Sequence, residues 1–152
     1  MTKGRPTAMV GHLDLVVGSM DVSLPFYLGL LEPLGWRKGA EIEGEHGQTI
    51  TYLTRGDDRV TQLGLREKLS DAHPVPYDRR AVGLEHICFE VPSREVVEER
   101  AEWVRSQSVA EIFSEPAEHT YMDGYYAFFF TDPDGIKLEV MHHPNFWEGE
   151  GA

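Results

Sequence analysis

Two imidazoles, one carboxylate and one carboxamide stand at matching places in two similar stretches of this chain. Gly11-His12-Leu13-Asp14-Leu15-Val16-Val17 opens the first stretch, and Leu84-Glu85-His86-Ile87-Cys88-Phe89-Glu90-Val91 opens the second. The histidines lie 74 residues apart. Near the end of each stretch a short alternating segment carries one polar side chain, Gln62 in Thr61-Gln62-Leu63 and Glu139 in Leu138-Glu139-Val140. The spacings from each histidine are 50 and 53 residues. Two imidazoles and a carboxylate suit a divalent first-row metal with positions left open for substrate and water. Gln62 adds a neutral fourth oxygen. Any one of these residues alone is an ordinary polar side chain on a wet strand face; their recurrence at duplicated positions favours a metal site.

Strand side chains alternate between faces. If His12 faces a binding trough, Asp14 and Val16 face it too, while Leu13, Leu15 and Val17 pack on a helix. In the second stretch His86, Cys88 and Glu90 share one face, and Ile87, Phe89 and Val91 the other. On the last strand Lys137, Glu139 and Met141 oppose Ile136, Leu138 and Val140. Both histidines and Glu139 thus fall on the polar face, and Gln62 falls opposite Leu63.

Other residues qualify less well. Tyr52 and Phe129 occupy similar places in the two stretches and are expected to wall the trough, with Tyr125 and Cys88 beside them as substrate contacts. Cys88 is expected to be a small buried strand residue and not a nucleophile. Asp14 and Glu90 either orient a ligand or lie at the rim. His142-His143 is expected to be a solvated pair. His46, His73 and His119 fall in loops and are expected at the surface. Tyr121 and Tyr126 are expected to pack.

The elements that must position these groups repeat. A strand over His12–Val17 precedes a helix over Met20–Gly29, with Ser19 as N-cap and Pro25 delaying or bending it. Trp36-Arg37, Thr49–Thr54 and Arg59–Leu65 are strands, with a hairpin turn at Arg55-Gly56-Asp57-Asp58. The second half has a strand over Glu85–Val91 and a helix over Ser93–Ser106, capped by Ser93, whose apolar stripe is Val96, Val97, Ala101 and Val104. A strand over Tyr125–Thr131, the turn Asp132-Pro133-Asp134-Gly135 and a strand over Ile136–Met141 follow. The expected class is α+β. It consists of two βαβββ modules paired about a pseudo-twofold axis around a concave metal-binding trough. Module one covers about 9–66, the linker about 67–82, module two about 83–143 and a tail 144–152, all within a single domain of 1–152.

With 152 residues, the chain has room for one domain or two small halves. No apolar run approaches the roughly 20 residues of a membrane helix. The net charge of −12 argues against nucleic acid, which needs a basic face. A single cysteine, Cys88, and no apolar leader fit a cytoplasmic protein.

The segments Gly83 to Val91 and Phe129 to Val140, with Phe26-Tyr27 and Leu34-Gly35 in the first half, resemble the vicinal oxygen chelate superfamily of glyoxalases, bleomycin resistance proteins and extradiol dioxygenases. The resemblance spans about His12 to His142. It implies metal ligands at His12, Gln62, His86 and Glu139, with Glu139 as the catalytic proton shuttle and one divalent ion (Zn, Ni, Fe, Mn or Co) as cofactor. It also implies a small-molecule substrate and a homodimer. Bacterial glyoxalase I has glutamate where this chain has Gln62, which argues against simple lactoylglutathione lyase activity. A His-Gln-His-Glu set is similar to that of methylmalonyl-CoA epimerase, although the Asp-Pro-Asp-Gly turn is not. Phe129 stands where extradiol dioxygenases are expected to carry a tyrosine, which argues against ring cleavage.

The expected function is therefore that of a metal-dependent lyase, isomerase or epimerase that chelates a vicinally oxygenated substrate and stabilises an enolate or oxyanion. A metal-free protein that sequesters a drug or metabolite is the alternative, with Trp36, Tyr52, Tyr125 and Phe129 as stacking walls. An extradiol-type dioxygenase and a relative without activity are further ones.

Overall fold

The computed structural model describes residues 8–56, 61–72 and 75–144. The chain divides into two compact units, Met1–Ala72 and His73–Ala152. The division falls inside the segment expected to be the linker. Each unit has the expected βαβββ order, and the class is α+β with two similar modules.

In the first unit β1 (His12–Val17) leads into α1 (Met20–Leu31) and a 3-10 turn (Glu32–Leu34). β2 (Trp36–Glu43), β3 (Thr49–Arg55) and β4 (Gln62–Glu67) follow, in the sheet order β1-β4-β3-β2. The β1–β4 pair is parallel and the others are antiparallel. Ser23, Phe26, Tyr27, Leu30 and Leu31 recur at helical spacing and are buried, as are Leu15, Val17, Leu63 and Leu65 on the strands. The helix runs two residues beyond its expected end and continues through Pro25. Ser19 is the N-cap residue, but its side chain makes no cap bond. The Met20 amide instead donates to Glu67 Oε2 at 2.8 Å, so the end of β4 satisfies a helix-start donor. Gly35 ends the segment at φ 85°, which favours a residue without Cβ.

Four strand boundaries differ from expectation, among them the end of β3, which runs one residue further to Arg55. β2 extends to Glu43 through a register shift between Lys38 and Glu41, where Gly39-Ala40 carries no strand signal. β4 starts at Gln62 and reaches Glu67. The first part of its expected span, Arg59 and Val60, lies outside the described residues, as do Asp57 and Asp58 of the expected turn.

In the second unit β5 (Ile87–Glu90) is shorter than expected, and Glu85 and His86 precede it. Tyr77 Oη lies 2.5 and 2.8 Å from the carbonyls of Leu84 and Glu85, which occupies them outside the ladder. α2 (Arg94–Arg105) has Ser93 as N-cap, with its side chain accepting from the Val96 amide. Val97, Ala101 and Val104 are buried as expected, whereas Val96 is half-buried and Arg100 takes its place in the buried stripe. β6 (Ile112–Glu118), β7 (Tyr126–Thr131) and β8 (Lys137–His142) complete the order β5-β8-β7-β6. The residue pattern did not place β6. It holds Pro116 and alternating charges, and an edge strand tolerates both.

The Asp132-Pro133-Asp134-Gly135 turn forms as expected. Asp132 is buried, and its Oδ1 accepts from the amides of Asp134 and Ile136, each at 2.8 Å. Asp132→Ala is expected to cost about 2 kcal/mol, because two amides lose a charged acceptor. The cost is read as a shift in the denaturant midpoint with an unchanged slope.

Candidate functional site

The first unit presents His12 and Gln62 as direct neighbours across the parallel β1–β4 pair. His12 is largely exposed, and its ring meets Tyr52 edge-on at 5.6 Å. Its Nδ1 lies 3.4 Å from Asp14 Oδ2, which also accepts from Arg66 Nη2 at 2.9 Å. Asp14 is therefore a partner of the candidate ligand. Burial, then the Asp14 charge, pushes the Tyr52 hydroxyl up, so it stays protonated at neutral pH. Asp14 and Tyr52 both oppose Gly64, where an added Cβ would lie 1.9 Å from Asp14 Oδ1 and 2.8 Å from Tyr52 Cε1. Trp36 is half-buried on β2, opposite Arg55.

In the second unit His86 Nε2 lies 2.9 Å from Glu139 Oε2. The Glu139 side chain is only 3% exposed, and its other oxygen accepts from Tyr125 Oη at 2.6 Å. Burial, then this bond, pushes the Tyr125 hydroxyl well above its usual range, which keeps it a donor. Glu139 was expected on a polar face, but that face is apolar around it: Tyr125, Ala127, Phe129 and Met141 form a buried cluster. β7 and β8 are apolar on both faces, so the period-2 pattern does not mark which face is wet. His86, Tyr121, Met122, Tyr125, Phe129, Lys137 and Glu139 line a cavity of about 350 Å³.

The two units differ in register. Gln62 pairs directly with His12, whereas Glu139 pairs with Cys88, two residues beyond His86. Tyr52 opposes Gly64, and Phe129 opposes Glu139. Counted from the histidines, Gly64 holds the strand position of Glu139, and Tyr52 that of Phe129. In the first unit Asp14 fills the room that Gly64 leaves.

Several residues behave otherwise than expected. Cys88 is exposed and not buried; it pairs with Glu139 across β5 and β8, while Phe89 takes the core side. Its thiol is pushed well up, first by desolvation from surrounding atoms and then by the Glu139 carboxylate, so it is a poor nucleophile. His119 is not a plain surface residue. It stacks on Tyr121 at 5.3 Å and meets Phe129 edge-on at 5.4 Å. His142 and His143 bond the carbonyls of Val91 and Asp123 at 3.1 and 2.9 Å, so they fasten the end of β8 and are not merely solvated. Glu90 is exposed, as is His46, which lies 3.4 Å from Glu45. Tyr126 packs under Arg94 and donates to Glu98. His73 and the tail residues Phe146 and Trp147 lie outside the described residues.

A family model, Glyoxalase/Bleomycin resistance protein/Dioxygenase superfamily, matches residues 9–140. The chain belongs to this superfamily. Among curated relatives, the uncharacterized protein YqjT of Bacillus subtilis is 26% identical over 130 residues, covering 86% of this chain and 95% of its own. Among solved structures, a glyoxalase family protein from Enterococcus faecalis matches with a TM-score of 0.63 at 26% identity, covering 88% of this chain and 96% of that one. A mutant of the fosfomycin resistance protein FosX from Listeria monocytogenes, solved with Mn(II) and dihydroxypropylphosphonic acid, matches with a TM-score of 0.62 at 16% identity, covering 94% and 97%. Superfamily membership and the two-module fold agree with the expectation drawn from the motifs.

The donors of this superfamily member fit a divalent ion in kind. Each unit supplies a histidine with one oxygen-bearing neighbour, and the pair in the second unit already stands at 2.9 Å. Among the described residues no three His, Cys, Asp or Glu side chains come together as a metal group. Glu85 has no counterpart in the residue-based reading of the site. It contacts His86 Nδ1 and accepts from Lys137 Nζ at 3.1 Å and Arg79 Nη1 at 3.2 Å. Burial raises its carboxyl, and the bonds from His86 and Lys137 outweigh this and hold it below its ordinary value. Its place beside the histidine in Leu84-Glu85-His86 was the available signal, but strict alternation assigned it to the opposite face.

Proposed function

We propose that the protein is a metal-dependent enzyme of the lyase, isomerase or epimerase kind, acting on a small substrate with neighbouring oxygens. The contact of the buried Glu139 carboxylate with the half-buried His86 carries this reading. A carboxylate 3% exposed among aromatic rings has a large desolvation cost, and a structural strand would use an apolar residue there. His86 and Glu139 of the second unit would hold the ion, and His12 and Gln62 are the candidate donors of the first unit. Bound there, the ion supplies Lewis-acid stabilisation of an enolate or oxyanion.

Glu139 has one oxygen toward His86 and the other on Tyr125, and it would take and return the substrate proton. Phe129 and Tyr125 line the cavity and would keep water from the reacting carbon. Cys88, beside Glu139, and Tyr52, beside His12, would contact substrate and not react with it. The reading includes a homodimer in the cytoplasm. Among the described residues no helix is long and apolar enough to cross a membrane.

Elemental analysis of the parent beside a His12→Ala/Glu139→Ala variant tests the proposal. About one transition metal per chain in the parent and none in the variant is the expected outcome. Iron in the parent would turn the assignment toward dioxygenation, against which Phe129 stands. The aromatic lining of the 350 Å³ cavity favours one second reading, sequestration of a drug or metabolite without a metal. Ligand binding that survives chelation, with no metal after reconstitution, would replace the enzyme reading with that one.

A further inference from the structure

The His86–Glu139 pair is held on both sides by polar contacts from within the chain. On one side, Glu85 contacts His86 Nδ1 and is itself held by Lys137 and Arg79. The ammonium of Lys137 also sits 4.8 Å from the Phe129 ring centroid, so this cation is fixed and not free to meet a ligand alone. On the other side, Tyr125 is 9% exposed and donates to Glu139 Oε1. Nε2 and Oε2 then face each other at 2.9 Å, with the Cys88 thiol beside Glu139 and Tyr125.

The chemistry of the contacts makes the frame directional. A carboxylate accepts and does not donate, so the contact with Glu85 takes a proton on Nδ1 and holds the ring flip that turns Nε2, and not Cε1, toward Glu139; Glu139, a carboxylate too, takes a proton or a bound cation between its Oε2 and Nε2. A phenol hydroxyl has one proton, and here it goes to Oε1, which leaves Oε2 as the oxygen presented to His86. Without these two contacts the imidazole can flip and the carboxylate can rotate.

We propose that Glu85 and Tyr125 are positioning residues for this pair: Glu85 fixes the ring orientation that turns Nε2 of His86 to Glu139, and Tyr125 fixes which carboxylate oxygen faces His86. The use of the frame for metal rests on the function proposed above, whereas the orientation itself does not.

The test has two arms on the full chain. The first uses metal-free protein and follows the His86 Nδ1–H resonance by 15N-edited NMR. A downfield, slowly exchanging proton is expected in the parent, lost in Glu85→Ala and restored in Glu85→Gln, whose carboxamide oxygen accepts the same bond. Its absence from the parent, or its persistence in Glu85→Ala, overturns the role of Glu85 whether or not metal binds. The second arm titrates Co2+ and reads its visible absorption. Tyr125→Phe and Glu85→Ala are each expected to weaken Co2+ binding about 10–100-fold, with Glu85→Gln recovering most of the loss. Parent-like binding in Tyr125→Phe overturns the role of Tyr125. The expected NMR pattern in a parent that binds no Co2+ upholds the positioning by Glu85 and sinks the metal function instead.

Discussion

Gly64→Val is expected to destabilise the first unit by about 3 kcal/mol, because overpacking at a closed site forces neighbouring side chains and backbone to shift. Even the first carbon of a side chain at position 64 would lie 1.9 Å from Asp14 Oδ1 and 2.8 Å from Tyr52 Cε1. Neither neighbour gives way easily. Asp14 is held by Arg66 at 2.9 Å, and Tyr52 sits on the central strand β3 against the His12 ring. Gly64 itself pairs with Asp14 on one side and Tyr52 on the other, so both clashes are fixed by backbone register. The loss appears as a fall of about 10 °C in the thermal midpoint. A double-mutant cycle isolates the cause. Asp14→Ala removes the closest atom, so Gly64→Ala in that background is expected to cost much less than in the parent. Equal costs in both backgrounds would mean that Asp14 does not fill this space.

The same contact explains why the first half of the site was only partly legible in the sequence. His12, Asp14 and Gln62 were correctly placed on the side of their strands away from the core, since alternation settles faces. Register is a different matter. A shift of two residues preserves every face, so the apolar pattern cannot distinguish Gln62 from Gly64 as the counterpart of Glu139. The glycine itself was the clue, because a glycine inside a strand marks a close approach. The α1 and α2 helices and the Asp132 turn were legible because caps, helical spacing and turn residues act locally. β6 was not, because Pro116 and its charges erase the strand pattern while an edge position accepts them. The burial of Glu139 was hidden for a related reason. Tyr125, Phe129 and Met141 come to it from two strands and a loop end, and no single segment records that enclosure.

Glu139→Gln is expected to leave the fold intact and remove turnover. The carboxamide has nearly the volume of the carboxylate, and its oxygen can still accept from Tyr125, so the buried cluster stays packed. Removing a charge from a buried site also removes its desolvation cost, so stability is expected to stay within about 1 kcal/mol of the parent or to rise. The chemistry does not survive the exchange. A carboxamide at this position is not basic enough to take a proton from carbon, and general base catalysis contributes on the order of 10³-fold. Turnover on hemithioacetals and acyl thioesters is therefore expected to fall about 10³-fold or more, with thermal midpoints nearly unchanged. Deuterium uptake from solvent into the substrate carbon follows the proton transfer itself, and it should fall in step with turnover. Uptake at the parent rate in Glu139→Gln would move the proton shuttle to another group. A large drop in the thermal midpoint would show instead that the ionised carboxylate, held by Tyr125 and facing His86, is part of what keeps this sheet together.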